Sequence, residues 1–425
     1  MINEEFLNSD EGRVIFTEEM RREYTILLPN LLPRHFKLLT KVFAQFGYKV
    51  EQLENGLDGD SREIIDAGLK NVHNDVCYPA LIMIGQCIHA LNSGRYDTHK
   101  VAIMMTQTGG GCRASNYVSL IRKALKKAGY GYIPVVSLNL SGIEKNPGFK
   151  LTPKMISPTL NSMLFGDLLM CLYNQARARE KVKGSALALA DEWTDRLAEE
   201  MTGKMLPYSR VKQYYKEIIA DFAKIDSKEE KPIKVGIVGE IFVKFSPLGN
   251  NSLEDFLVSE GAEPVMAGLV DFILYCMYNP IIDAKLYGRG RASVPIYITV
   301  CEYIAKKQQD MIDAIAEEGS FTPPTPFYKT CHANEGYIGS GMKMGEGWLL
   351  TAEMLDLIES GVTNIVCAQP FGCLPNHIAG KGMMKPIKER NPGVNIVAID
   401  YDSGATKINQ ENRIKLMLAS AGREL

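Results

Sequence analysis

The sequence predicts an α/β fold made of two Rossmann-like, doubly wound lobes that are joined by a helical segment. Strand-like and helix-like runs alternate through the first third of the chain, which is typical of a parallel sheet covered by helices. A purely helical pattern follows, and the alternation then returns. We therefore predict an N-terminal α/β lobe over 1–152, a helical bridge over 153–230 and a C-terminal α/β lobe over 231–425.

The N-terminal lobe contains short apolar runs separated by segments with helical periodicity. The predicted strands are 24–28, 48–53, 101–106 and 133–138, and the predicted helices are 36–46, 81–91 and 117–128. Strands that alternate with helices in this way favour a parallel sheet.

The bridge and the C-terminal lobe are separated by a polar break. Long helical patterns rich in Leu, Ala, Lys, Arg and Glu extend from Pro153 to about Ala223, and the polar segment 227–232 ends in Pro232. Beyond it we predict strands at 233–238, 365–368 and 394–399. The predicted helices of this lobe begin near Leu253 and extend over 348–360 and 409–418.

The composition excludes several classes of protein. The chain is 46% hydrophobic and 23% charged with a formal net charge of −2, which gives no general attraction to nucleic acid or to anionic membranes. It has no run of 18 or more uncharged apolar residues, and its first residues lack the basic and apolar regions of a signal peptide. We therefore expect a cytoplasmic protein without a nucleic-acid or membrane partner. In a reducing compartment, functional thiols bind metals or act in redox chemistry more often than they form disulfides.

Three cysteines lie at Gly- or Pro-marked turns that lead into helices. Cys77 is followed by Tyr-Pro, Cys112 follows three glycines, and Cys373 lies in the segment Phe-Gly-Cys-Leu-Pro. A thiolate at a helix N-terminus is stabilised by the helix dipole and can bind a soft metal. Because ligands of open α/β sheets lie beyond the carboxyl ends of the strands, we expect the three thiols to meet in a cleft between the lobes as an iron–sulfur site.

The glycines before Cys112 follow a predicted strand and open a helix. Gly109, Gly110 and Gly111 permit close approach of the backbone to a bulky group, and free amides there can hydrogen-bond cluster sulfides or an anion. The segment lacks the Gly-Lys-Ser/Thr ending of a P-loop, so it does not predict nucleotide binding. The alternative is a tight turn with one incidental thiol.

The remaining cysteines divide into possible extra ligands and structural residues. Cys331 is expected in a Gly-rich loop that extends to Gly347 and closes over the cleft. There it is either a further ligand or a loop thiol without a ligand role. Cys367 is either a further ligand or a core thiol. The other four are interpreted as core residues: Cys87, Cys171, Cys276 and Cys301.

Two weaker candidates complete the predicted site. Glu240 ends the first strand of the C-terminal lobe and is a candidate for acid/base chemistry, although an ordinary strand-end carboxylate is favoured. Cys373 and His377 could bind zinc as a pair, but the paired CxxC spacing of structural zinc sites is absent. No Ser-His-Asp signature or nucleophile elbow is present in the sequence.

Four segments together resemble the 2-hydroxyacyl-CoA dehydratase superfamily. They are Asn-Asp-Val-Cys-Tyr-Pro-Ala at 74–80, Thr-Gln-Thr-Gly-Gly-Gly-Cys-Arg-Ala-Ser-Asn-Tyr at 106–117, Gly-Glu-Gly-Trp-Leu-Leu-Thr at 345–351, and Asn-Ile-Val-Cys-Ala-Gln-Pro-Phe-Gly-Cys-Leu-Pro-Asn-His at 364–377. The chain is most similar to the C-terminal part of the large activase-related proteins and to the double-cubane cluster proteins. The similarity extends from about Cys77 to 398–402.

This resemblance implies a [4Fe-4S] or double-cubane [8Fe-9S] cluster held by Cys77, Cys112 and Cys373 between the lobes. In that superfamily a separate ATP-hydrolysing iron–sulfur activator supplies low-potential electrons, and the dehydratases remove hydroxide from a 2-hydroxyacyl-CoA through a ketyl radical. Three thiolates on one cubane would leave one iron open for a substrate oxygen. A double cubane needs about six thiolates, so cluster type stays open, with Cys331, Cys367 and Cys87 as the only extra candidates.

Three interpretations of function follow. The first is an iron–sulfur reductase or dehydratase component that receives electrons from an ATP-dependent activator and acts on a small molecule or an acyl-CoA. The second is an electron-transfer or regulatory module without its own substrate, and the third is a zinc-stabilised structural protein. The sequence identifies neither the substrate nor the oligomeric state, and homodimerisation is left open.

Overall fold

The chain folds around two four-stranded, all-parallel sheets. The computed structural model describes residues 13–56, 59–73, 75–106, 111–138 and 146–421. The strands of the first sheet are β1 (Thr25–Leu28), β2 (Lys49–Gln52), β3 (Val101–Thr106) and β4 (Val135–Leu138), in the order β2-β1-β3-β4. The strands of the second are β5 (Ile233–Gly239), β6 (Ala262–Val265), β7 (Asn364–Pro370) and β8 (Asn395–Tyr401), in the order β6-β5-β7-β8. The two sheets therefore have the same topology.

Both faces of each sheet are buried. In β1, Ile26 and Leu28 belong to one core cluster while Leu27 belongs to another. Likewise in β7, Val366 and Cys367 lie in different clusters. Since successive side chains of a strand point to opposite faces, helices must cover both sides, as in a doubly wound fold.

Helices and turns around the first sheet follow the predicted alternation. They are α1 (Glu18–Glu23), α2 (Pro33–Gln45), α3 (Ser61–Asn71), α4 (Tyr78–Asn92), the 3₁₀ turn Arg113–Asn116 and α5 (Tyr117–Lys127). Pro33 and Pro79 lie in the first turns of α2 and α4, where a missing N–H costs no helical hydrogen bond.

A helical layer packs against both sheets. It contains α6 (Pro153–Arg179), α7 (Ser185–Glu200), α8 (Tyr208–Ala223), α12 (Leu269–Tyr287) and α13 (Val294–Glu318). α6 contacts both α2 and β6, α12 contacts α6, and α13 contacts α8. By length and composition α6 is apolar enough to cross a membrane, but 72% of its most apolar window is buried inside the fold, as in a core helix.

The second sheet is surrounded by shorter helices. They are α9 (Ile241–Phe245), α10 (Pro247–Asn250), α11 (Leu253–Ser259), α14 (Phe327–Ala333), α15 (Trp348–Glu359), the π-helical turn Asn376–Gly380, α16 (Met384–Arg390) and α17 (Lys407–Ala421). The short 3₁₀ turn Lys381–Met383 joins the π-helical turn to α16, and a second 3₁₀ turn, Arg291–Ser293, lies between α12 and α13.

The structure confirms the predicted α/β class and every predicted strand to within about two residues at each end. The elements that the sequence analysis missed include β6, α3, α12 and α13. β6 has the sequence Ala-Glu-Pro-Val, and Pro264 is tolerated because β6 is an edge strand. One local assignment was wrong: Cys331 lies in helix α14, not in a Gly-rich loop.

Helices α3 and α4 approach each other through glycine. Gly85 lies in α4, and a Cβ atom there would overlap the backbone carbonyl oxygen of Ile64 and lie 3.0 Å from the amide nitrogen of Gly68. No side chain fits between the two backbones. This contact fixes α4, whose first residue follows Cys77.

We expect Gly85→Ala to lower the free energy of unfolding by about 1–3 kcal/mol, because the added methyl group forces α3 and α4 apart. Urea denaturation monitored by circular dichroism measures the change. The control is Gly131→Ala, where the new Cβ would meet nothing closer than 3.5 Å. Equal losses in the two variants would show that the close approach does not matter.

Candidate functional site

The predicted site residues lie where each sheet has its topological switch point. The switch points are between β1 and β3 in the first sheet and between β5 and β7 in the second. Glu240 directly follows β5, Cys373 follows β7, and Cys112 follows β3 after a segment that includes 107–110, outside the described residues. Cys77 is the residue before α4.

The segments that carry Cys77 and Cys373 are in direct backbone contact. The N–H of Tyr78 donates a hydrogen bond of 3.0 Å to the carbonyl oxygen of Phe371. Gly372 has a φ of +73°, and a Cβ there would lie 3.2 Å from the Cα of Cys77. A side chain at 372 would be strained and would separate the two segments.

The loop before α15 lies between Cys112 and the Cys373 segment. Gly345 has a φ of +56°, and a Cβ there would lie 3.0 Å from Pro375 and 3.8 Å from the Cys112 sulfur. On the other side, a Cβ at Gly111 would lie 3.1 Å from Met344. Small residues therefore let three chain segments converge on one place.

Cys77 acts electrostatically on each of the other two thiols. Burial is the largest cause that raises the pKa of Cys77, Cys112 and Cys373. Negative charge on Cys77 raises the pKa of the other two thiols further. The hydroxyl of Tyr117 lies 3.3 Å from the Cys77 sulfur and acts in the opposite direction, as a hydrogen-bond partner that lowers its pKa.

Two buried carboxyl groups lie beside the thiols. Burial raises the pKa of Glu240 to about 8, with the nearby charge of Glu346 as the second cause. Burial also raises the pKa of Glu346. Both groups raise the pKa values of Cys112 and Cys373, so the carboxyl groups and the thiols belong to one site.

Glu240 and Glu346 are each fixed by a hydrogen bond to helix α9. Glu240 accepts from the N–H of Val243 at 3.0 Å and thereby caps the helix, and Glu346 accepts from the N–H of Ile241 at 3.1 Å. The capping contact is the ordinary strand-end role that the sequence analysis favoured for Glu240. Glu240 differs from an ordinary capping residue because it is buried close to a second buried carboxyl group, that of Glu346.

A buried ion pair joins two helices of the site. Lys244 in α9 contacts both carboxylate oxygens of Glu353 in α15, at 2.9 and 3.0 Å. This pair connects α9, which Glu240 caps, to α15, which begins two residues after Glu346. The charge of Lys244 lowers the pKa of Glu346, but burial, which raises that pKa, has the larger effect.

Other predicted residues lie elsewhere or outside the described chain. Gly109 and Gly110 are outside the described residues. Burial is the largest cause that raises the pKa of Cys331, and the charges of Asp271 and Cys301 raise it further. Cys367 is completely buried in β7, 3.6 Å from the side chain of Asn376.

Cys367 and Cys87 have the environments of core thiols. Burial alone raises the pKa of Cys87 to about 12. The pKa of Cys367 is also raised to about 12, with burial as the largest cause. Cys87 lies on the buried side of α4. Neither thiol is among the charges that act on the three converging cysteines.

The sequence analysis missed Glu346 and Cys276 as site residues. Glu346 lies inside the Gly-Glu-Gly-Trp segment, whose glycines were the only signal for it. Cys276 lies in α12, and its pKa is raised to about 12 by burial and then by Glu346 and Cys112. Nothing in its apolar helical surroundings distinguishes Cys276 from a core cysteine, so only the fold could identify it.

The chemistry of these side chains fits an iron–sulfur group. Soft thiolates are the usual ligands of such clusters, and positive metal would offset the negative charge that buried thiolates and carboxylates accumulate. Within the described residues, no three His, Cys, Asp or Glu side chains are grouped closely enough to hold one metal ion. A cubane binds each thiolate on a different iron atom, so its ligands are spread more widely than those of a single ion.

Comparison with known proteins gives no family assignment. No protein-family model matches the chain, and no curated protein matches it significantly in sequence.

We expect the stability of the protein to fall as the pH rises from about 4.5 to about 8, partly because of Glu240. Its pKa in the folded chain is about 8 against 4.5 as the unperturbed value, so in this range the folded state keeps a proton that the unfolded state has released. The double variant Glu240→Gln/Glu346→Gln should lose less stability between pH 5 and pH 8 than the wild type, by on the order of 2 kcal/mol.

Urea denaturation at a series of pH values measures this slope. Burial also raises the pKa of Asp271 to about 7 and that of Asp356 to about 6, and both groups titrate equally in wild type and variant. The exposed Glu229→Gln variant serves as the control and should keep the wild-type slope. An unchanged slope in the double variant would mean that both carboxyl groups are ionised in the folded protein.

Proposed function

We propose that the chain is an iron–sulfur redox protein of the 2-hydroxyacyl-CoA dehydratase type. It would receive low-potential electrons from an ATP-dependent activator and reduce or dehydrate a small substrate. The observation that carries this proposal is the convergence of Cys77, Cys112 and Cys373 from three separate segments onto one buried site. The site lies at the switch points of both sheets, and the proposed interlobe cleft would open there.

Cys77, Cys112 and Cys373 would hold the cluster. Cys77 and Cys112 immediately precede α4 and the 3₁₀ turn Arg113–Asn116, and Cys373 precedes the helical residues 374–380. Backbone N–H groups at such positions stabilise thiolate charge. When bound, a cluster of this kind supplies single low-potential electrons.

The protein side chains around the thiols would control protons. Glu240 keeps its proton at neutral pH because its pKa is about 8, so it can donate to a leaving group or a reduced substrate. Glu346 is buried beside it and would share this role. Tyr117 would hold Cys77 in place through its hydroxyl group.

The substrate would be a small molecule or an acyl thioester, and the protein would act in the cytoplasm. Burial of α6 inside the fold is compatible with a protein that does not span a membrane. No nucleotide-binding loop of the P-loop type occurs in the sequence, which supports a separate ATPase as the electron donor.

We expect protein reconstituted anaerobically with iron and sulfide to be brown, and Cys→Ala changes at 77, 112 or 373 each to remove most of the bound iron. Each of these changes deletes a metal–sulfur bond. The control is Cys171→Ala, which removes one sulfur from the edge of the core and costs on the order of 1–2 kcal/mol without loss of iron. Colorimetric iron and sulfide determination measures the outcome.

Cys276→Ala distinguishes two forms of the cluster site. Retention of iron in this variant indicates that Cys276 is not a ligand, whereas loss indicates that it is a fourth thiolate ligand, as expected of an electron carrier. Cys331→Ala and Cys367→Ala test the two remaining candidates in the same way. Background iron content in the wild type, or one zinc per chain, would contradict the proposal.

We also expect reduction of the cluster by an activator to need ATP. Electron paramagnetic resonance of this protein mixed with reduced activator should show a reduced-cluster signal only when ATP is present. The interface can be small, since a short-lived contact is enough to transfer one electron. Equal reduction without ATP, or ATP hydrolysis by this chain alone, would contradict this division of roles.

A further inference from the structure

The open edge of the second sheet has the features of a strand-docking site. β8 is the last strand in the order β6-β5-β7-β8, so among the described residues it has a neighbouring strand on one side only. Helix α16 covers one face of β8 and α17 the other. A groove of about 700 Å³ lies between the two helices along β8.

The backbone of β8 presents unpaired groups to this groove. Asn395 donates its N–H to Thr363, and the carbonyl of Tyr401 accepts from Phe371. These residues thus direct their backbone groups towards β7. Because backbone direction alternates along a strand, the N–H and C=O groups of Ile396 and Ala398 point away from β7 and into the groove.

Within the described chain, no hydrogen-bond partner is found for the outward backbone groups of Ile396 and Ala398. At the next outward position the edge is closed, since the side chain of Gln410 donates to the carbonyl of Asp400 at 2.9 Å. The open edge is therefore short, and it suits a docking strand of about five residues.

The rim of the groove is basic. Four cationic side chains line it: Lys381, Lys385, Lys388 and Arg413. Two carboxylates oppose them, because Asp400 is 3.4 Å from Lys381 and 3.8 Å from Arg413, and Glu389 is 3.7 Å from Lys385. Lys388 has no ion-pair partner in the part of the chain that the structure describes. The rim thus keeps an excess of positive charge in a protein whose net charge is −2.

We propose that β8 binds an acidic, extended segment of a partner protein, which adds to the second sheet as a further strand. The main-chain groups of Ile396 and Ala398 would supply the hydrogen bonds, and the lysines of the rim would select acidic side chains. The lining of this groove includes none of the three cysteines, and the proposal does not depend on the proposed cluster.

Charge favours this occupant over a second copy of the chain. Two β8 edges paired with each other would bring two basic rims together, which costs energy. Lysines at an edge also repel strands of neutral or basic character. An acidic strand removes that repulsion and satisfies the backbone groups at the same time.

The test uses the full chain and synthetic ten-residue peptides with a fluorescent label. In the first peptide Glu alternates with Val, in the second Lys replaces Glu, and in the third the acidic peptide is N-methylated along one backbone edge. We expect the first peptide to bind at least about tenfold more tightly than the other two, because only it offers both acidic side chains and free N–H groups. Fluorescence anisotropy measures the affinities, and hydrogen exchange should show new protection at 395–401.

Charge reversal on the rim provides the matched comparison. Lys385→Glu/Lys388→Glu should weaken binding of the acidic peptide at least about tenfold. Lys123→Glu/Lys126→Glu makes the same change at two exposed lysines of α5 and should leave affinity within about twofold. Both variants alter only exposed side chains, and circular dichroism verifies that they fold.

Four outcomes would overturn the proposal. The first is that the Lys peptide binds as tightly as the Glu peptide. The second is that N-methylation leaves the affinity of the acidic peptide unchanged, or that peptide binding leaves the hydrogen exchange of the β8 amides unchanged. The third is a single-stranded oligonucleotide that competes as well as the peptide, which would make the rim a nucleic-acid site. The fourth is a dimer that Lys385→Glu/Lys388→Glu dissociates, which would make the edge an interface between copies of the chain.

Discussion

The candidate site depends on one main-chain hydrogen bond, from the N–H of Tyr78 to the carbonyl oxygen of Phe371. It joins the start of α4, which belongs to the first sheet, to the loop after β7 of the second. Gly372 allows the approach because it has no side chain to meet the backbone of Cys77. Without this contact Cys77 and Cys373 would belong to separate loops. A backbone contact of this kind depends on chain geometry more than on side-chain identity, so the position of the thiols is set by the fold itself.

The second constraint is charge. Cys77, Cys112, Cys373, Glu240 and Glu346 are all acids, and burial raises the pKa of each of them. Ionising several of them together without a cation would be costly, and Lys244, a buried lysine that acts on Glu346, is paired with Glu353. The protein alone therefore favours the protonated state of the site. A metal group that replaces thiol protons would change this balance, which connects ligand binding to proton release.

Seven of the eight strands that the structure describes were predicted from the sequence, because their signals are local. The strands β3, β5 and β7 are apolar runs that need no tertiary information. β6 could not be predicted in the same way, since Glu263 and Pro264 are poor strand residues and Glu263 is paired with Arg179 of α6. The three cysteine loops were visible as turns before helices. Glu346 and Cys276 were not, because their importance comes from neighbours that are distant in the chain.

The shared topology of the two sheets explains which positions supply the site. Cys112 follows β3 and Cys373 follows β7, and these strands occupy the same place in the orders β2-β1-β3-β4 and β6-β5-β7-β8. Helix α4 immediately precedes β3 as α15 precedes β7, so Cys77 before α4 corresponds to the Glu346 segment before α15. The first sheet thus offers a thiol where the second offers a carboxyl group. This difference breaks the symmetry of the site, because one of two corresponding positions carries a thiol and the other a carboxyl group.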